Sequence, residues 1–285
     1  MRKKQLSKLG MEPRGRISPL LDKCLMRVCA SAGYQSAERD IKALMGLDVG
    51  HSSLHRYVQK QELEMPALLD TILQGRGCAN DSSSIDGGKI RMRGAKGEKS
   101  YYRDYKIARL NSQWYGAAYL DNERLIDWIN SQKQAVPLVC RGDGHDGVWN
   151  IFAEIGTERM EILDWYHLKE HLFGVGGSLK RLKIAESLLW EGNVIDTIPL
   201  FKDLKKLKAV NFIKYIEKHQ NRIINYNYWS NIALQPIAVG SGDVESAVKQ
   251  IGMRVKLSGA RWAQANVNQI LSLRCAYLNG VFDIA

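Results

Sequence analysis

The sequence predicts an α/β protein: a mixed sheet flanked by helices, interrupted by an all-helical insertion and preceded by a small helical unit. Three observations predict it. Residues 84–175 alternate short β-branched or aromatic runs with amphipathic ones, in the order β-β-β-α-β-α-β-α. Residues 176–235 are helical and basic with no strand-like run, and residues 19–61 read as three short helices. At 285 residues the chain has room for two modest domains, or one larger domain with an insertion.

The elements follow in order. Residues 1–18 form a basic tail without the apolar centre or small-residue cleavage site of a signal peptide. "PLLDKCLMRVCASAG" is apolar at helical spacing and stops at Gly33. "SAERDIKALMG" follows, with Ser36 as N-cap, Glu38 in the first turn and Gly46 just past the end. "LDVGHSSLHRYVQKQ" starts a third helix at Ser52 or Ser53. Two helices joined by a short Gly-containing turn, the second polar and basic at its start, follow helix-turn-helix logic. On that logic residues 19–65 bind DNA through Ser53, His55, Arg56 and Lys60; a plain helical bundle fits the same pattern. After a connection, "SSIDGGKIRMR", "SYYRDYKIARL" and "WYGAAYL" read as strands and "NERLIDWINSQK" as a helix. "VPLVCRGDG" is a buried strand meeting a turn, "GVWNIFAEIG" a helix, "RMEILDW" a strand and "YHLKEHLFGV" a helix start. The sheet domain therefore has a first part at 80–175, an insertion at 176–235, and a last part at 236–285 that closes in helices.

Composition narrows the function. Hydrophobic residues make up 45% and charged residues 25%, an ordinary globular balance, and no apolar run is long enough to predict a membrane span. The five cysteines are scattered with no C-x-x-C pair, which argues against a disulfide framework or a thiolate zinc site and for a reducing, cytoplasmic setting. Lysine plus arginine exceed the acids 41 to 30, a formal charge of +11, which predicts a polyanionic partner, most often nucleic acid. Eight of these bases lie between Lys89 and Arg109, opposed only by Glu98 and Asp104, and four more lie between Lys249 and Arg261 with no acid. Arg91, Arg93, Arg254, Lys256 and Arg261 are the DNA contacts these clusters suggest.

Three acids sit where backbone geometry displays them. Asp86 is followed by Gly87 and Gly88, Asp143 lies in Gly142-Asp143-Gly144 past an apolar strand, and Glu245 opens a helix after Gly240-Ser241-Gly242. Glycines beside strand-end carboxylates leave room for a ligand at the backbone. Oxygen donors suit magnesium or manganese, and two such ions about 4 Å apart clamp the attacking and leaving oxygens of a phosphoryl displacement. A competing pattern is His167-Leu168-Lys169-Glu170-His171, the H-x-x-E-H of certain zinc peptidases. That reading leaves Asp86, Asp143 and the charge unexplained.

Longer matches outweigh it. "SIDGGKIRMRG…YRDYKIARL", "GDGHDGVWNIFAEI", "ILDWYHLKEHL" and "VGSGDVESAVKQIGMRVKLSGARWAQANVNQILSLRCAYLNG" resemble the DDE transposases of bacterial insertion sequences, Mutator-like and most closely ISKra-type. "SAERDIKALMGLDVGHSSLHRYVQ" resembles the segment before their catalytic domain, and the resemblance spans most of residues 19–283. It implies an RNase H-like core with a helical insertion before the last acid. It implies that Asp86, Asp143 and Glu245 hold two magnesium or manganese ions, and that Asp164 and His167 form the family's D-x-x-H motif, with His167 near the scissile phosphate. It further implies end-specific strand cleavage and transfer into target DNA by multimers on paired terminal repeats. A transposase-derived or shortened DNA-binding protein without catalysis is the alternative.

Overall fold

The computed structural model describes residues 17–65, 80–233, 237–240 and 242–283; residues 1–16 of the basic tail and most of the 62–83 connection lie outside them. Helices α1 (Pro19–Ser31), α2 (Tyr34–Met45) and α3 (His51–Gln59) come first. Then follow β1 (Asn80–Met92), β2 (Tyr101–Leu110), β3 (Trp114–Ala118), α4 (Asn122–Asn130), β4 (Gln134–Gly142), α5 (Asp146–Ala153), β5 (Arg159–Leu163) and α6 (Trp165–Gly174). The insertion supplies α7 (Leu179–Trp190), the short α8 (Val194–Thr197) and α9 (Pro199–Lys202), and α10 (Leu207–Lys218). The chain closes with α11 (Gly242–Val255) and α12 (Val267–Leu278).

The five strands form one mixed sheet in the order β3-β2-β1-β4-β5. The first three run as an antiparallel meander, while β1, β4 and β5 are mutually parallel. Asn111 and Ser112 turn β2 into β3 with φ of 49° and 53°, the left-handed pair that matches strand twist in a tight hairpin. Because side chains alternate across a strand, each strand feeds two cores. Ile85, Ala108, Leu110, Leu138 and Cys140 face α4, α5, α6 and the insertion. Ile90, Met92, Tyr105 and Ile107 face α1 to α3, α11 and α12.

The insertion is seated on the first core through Leu182, Leu189, Phe201, Phe212 and Ile216. Trp165, at the start of α6, packs edge-on against Trp190 at 4.8 Å, and the Tyr226 hydroxyl donates to the Leu163 carbonyl at 2.9 Å. The insertion is thereby fixed to the end of β5.

The N-terminal helices belong to the second core. Leu25, Met26, Cys29, Ile41, Leu54 and Val58 pack with α11 and α12. Ser18 caps α1, accepting from the Leu21 amide at 3.3 Å, and Gly46 ends α2 at φ 66° as expected. Two starts differ from the expectation. α2 begins at Tyr34 after Gly33 rather than after Ser36, and α3 begins at His51 after Gly50 rather than at Ser52 or Ser53. At that point Glu38 Oε2 accepts from the His51 amide at 2.9 Å, so a side chain of α2 does the capping.

Arg254 is corrected by the fold. It is 1% exposed, so it is not a phosphate contact. Its Nε donates to the Cys29 carbonyl at 2.7 Å, and its guanidinium lies 5.1 Å from the Tyr34 ring and 5.3 Å from the Trp262 ring. Arg274 donates to the neighbouring Ala30 carbonyl at 3.2 Å. Two arginines from the end of the sequence thus satisfy carbonyls at the C-terminus of α1. Among the described residues no helix is long and apolar enough to cross a membrane.

A candidate carboxylate site at the strand ends

Register brings the site together. Ile85 of β1 pairs with Gly142 of β4, and Gly142 pairs with Leu163 of β5. The residues that follow these three are Asp86, Asp143 and Asp164. Parallel strands lie about 4.8 Å apart, so three carboxylates sit side by side at the carboxyl ends of β4 and β5, with Asp86 on β1 where it runs on past its neighbours and pairs with Ile107 of β2. In open α/β sheets such strand ends are where ligands bind.

The three acids are treated differently. Asp164 is fully buried and caps α6, its Oδ1 accepting from the His167 amide at 2.6 Å and lying 3.0 Å from His167 Nδ1. That bond, helped by the charges of Asp164, Asp143 and Asp86, raises His167 to about 9 against the opposing effect of burial. His167 is therefore a cation at neutral pH, with Nδ1 committed to Asp164 and Nε2 left as a donor. It supplies charge and a proton, not a base.

Asp86 and Asp143 face a common space. Burial raises Asp86 above the ordinary carboxylate range and Asp143 adds to the effect; the Gly87 amide, His167 and Lys106 oppose it. Asp86 Oδ1 accepts from the Gly87 amide at 2.6 Å, and Asp143 Oδ1 accepts from the His145 amide at 2.9 Å. In each carboxylate one oxygen, Oδ1, is oriented by a backbone amide. Oxygen donors with surplus negative charge fit a hard divalent cation.

Glu245 sits half-buried on the first turn of α11. Asp86, Asp143 and Glu245 are not gathered into one set: among the described residues no three His, Cys, Asp or Glu side chains form a group that could hold a metal ion. What fixes α11 is Asp243. Asp243 Oδ2 accepts from Arg141 Nη2 at 3.0 Å, from Ser112 Oγ at 2.9 Å and from Ser84 Oγ at 3.3 Å, and its carbonyl accepts from Arg109 Nη1 at 2.9 Å. Arg141 also donates to Ser84 Oγ at 3.1 Å and to the Ala238 carbonyl at 3.1 Å. Sequence reasoning missed this clamp. Its one signal was an arginine at the end of an apolar strand, directly before the Gly-Asp-Gly turn.

Sequence reasoning also missed Tyr215 of α10. A Cβ on Gly144 would lie 2.2 Å from the Tyr215 ring, so Gly144 is required for this approach. The ring stacks on His171 at 4.1 Å, and burial followed by His167 lowers His171 below the ordinary histidine range. The two histidines of the H-x-x-E-H pattern are thus engaged separately, one by Asp164 and one by Tyr215, while Glu170 is exposed.

The suggested DNA contacts are spread over the surface. Ser53, Arg56 and Lys60 are exposed on α3, whereas His55 is half-buried, edge-on to Tyr34 at 5.1 Å and 3.4 Å from Asn266. Arg91, Arg93, Lys256 and Arg261 are exposed. No protein-family model matches the chain, and no curated protein matches it.

Proposed function

We propose that the protein is a DNA transposase that cuts phosphodiesters at the ends of its element and joins them to target DNA, on an RNase H-like core. The observation that carries this reading is the in-register placement of Asp86 on β1 and Asp143 just past the end of the neighbouring parallel β4, with cationic His167 beside them. The strand order, the placement of the helical insertion before α11 and the basic surface support it.

Asp86 and Asp143 would hold magnesium or manganese, with Glu245 completing the set; the bound ions supply Lewis-acid activation of water and of the freed 3′-hydroxyl. The chain's own residues do the rest. His167 offers Nε2–H to a phosphate oxygen, Asp164 fixes its ring, and the Gly87 and His145 amides hold the two carboxylates in orientation. Ser53, Arg56, Lys60, Arg91, Arg93, Lys256 and Arg261 bind the backbone of terminal repeats and target, in a cytoplasmic multimer on paired ends.

The test is strand cleavage of element-end DNA with magnesium or manganese. Asp86→Ala, Asp143→Ala and Glu245→Ala should each nearly abolish cutting while binding persists; normal cutting by any one removes that residue from the set. A second reading, a transposase-derived DNA-binding protein without catalysis, is favoured by Asp86, Asp143 and Glu245 not being gathered into one metal-holding group among the described residues. Wild-type protein that binds ends but never nicks them with either metal would select it.

A further inference from the structure

The basic run from Lys89 to Arg109 separates into different fates once it is folded. Lys89, Arg91, Arg93, Lys96, Lys99 and Arg103 are exposed toward the far end of the β1–β2 hairpin. Arg109 is spent on the Asp243 and Ser112 carbonyls. Lys106 alone of the eight pairs beside the carboxylates, opposite Gly87. Its side chain runs between two glycines of the site: Nζ lies 3.8 Å from where a Cβ on Gly87 would be, and Cε lies 3.5 Å from the same position on Gly147, in the first turn of α5. Its charge acts on Asp86, yet among the described residues the Lys106 ammonium makes no hydrogen bond and no ion pair within 4.0 Å. Nearby Lys218 is by contrast bonded to Asp146. A lysine meant only to neutralise Asp86 would be expected to sit in contact with it.

We propose that Lys106 is a phosphate-binding residue, its ammonium taking a non-bridging oxygen of the DNA strand laid across the carboxylate edge on the α5 side of Asp86. This rests on the transposase reading. A strand approaching Asp86 and Asp143 brings negative charge toward negative charge, and a half-buried, unpaired cation at that rim offsets the repulsion. Sparing a side chain at Gly87 keeps the path open.

The experiment compares wild type, Lys106→Met and Lys106→Arg, as full chains, on a duplex carrying one element end. Affinity is measured against salt without metal, and cutting is measured with manganese at saturating DNA. Loss of one phosphate contact should reduce the slope of log K against log salt by about 0.9 in Lys106→Met. Cutting should fall on the order of tenfold or more, with Lys106→Arg close to wild type in both. An unchanged slope overturns the proposal. If the slope holds and only the pH profile of cutting moves, Lys106 is a counter-charge to Asp86 instead. Wild type that binds but does not cut sinks the transposase reading, and the salt comparison still decides Lys106.

Discussion

Arg141–Asp243 and Asp86–Asp143 both draw on the end of β4, the first joining it to α11 and the second to β1, and their charges are handled in opposite ways. In the first pair a buried arginine meets a carboxylate that also accepts from two serine hydroxyls. In the second, like charges are set side by side, and burial pushes Asp86 toward its neutral form. A pair satisfied inside the protein holds elements in place; a like-charged pair is only partly offset, here by His167 and Lys106. The difference assigns the first to architecture and supports the proposal of site chemistry at the second.

The comparison can be broken most directly at Arg141, whose side chain is 4% exposed. Arg141→Ala leaves Asp243 partly buried and unpaired and should cost about 3–5 kcal/mol in denaturant unfolding. A cost below about 1 kcal/mol would mean that the clamp is not structural. Next in size is the response to metal. Manganese at a hundredfold over its Kd should stabilise the fold by about 2.7 kcal/mol in thermal scans, and Asp143→Asn should remove the gain. No shift in wild type would take the like-charged pair out of metal chemistry. Without metal, Asp86→Asn relieves a buried repulsion and should raise stability by roughly 0.5–2 kcal/mol, where a like change in a satisfied pair would lower it. A further effect is a pH dependence. His167 is raised from 6.5 to about 9, so its stabilising contribution is full below 6.5 and is lost as pH rises through about 9. His167→Gln should flatten stability across that window, read by unfolding at a series of pH values.

The sheet was legible because its signals are local. The alternation in "SYYRDYKIARL" and the Gly-Asp-Gly turn around Asp143 mark a strand and a strand end without knowledge of partners, whereas Gly87 and Gly88 lie inside β1. Arg254 was misread because charge suggested a surface, while its position on α11 told otherwise. Ala247, Ile251, Arg254 and Val255 share one helical stripe, and all are buried. Lys106 and Arg141 could not be singled out because their roles depend on register, on which residue of β1 each one faces. Tyr215 depends on where the insertion folds back, which no local pattern encodes.

The clamp on the end of α1 has a consequence for synthesis. Arg274 reaches Ala30 across 244 residues. At about 5–20 residues per second a ribosome needs roughly ten to fifty seconds between these two positions. During that interval α1, α2 and α3 have emerged, but the helices that cover Leu25, Met26 and Ile41 do not yet exist. Three helices thus wait on elements made long after them, with an apolar face that a chaperone, or the wrong neighbour, is free to cover first.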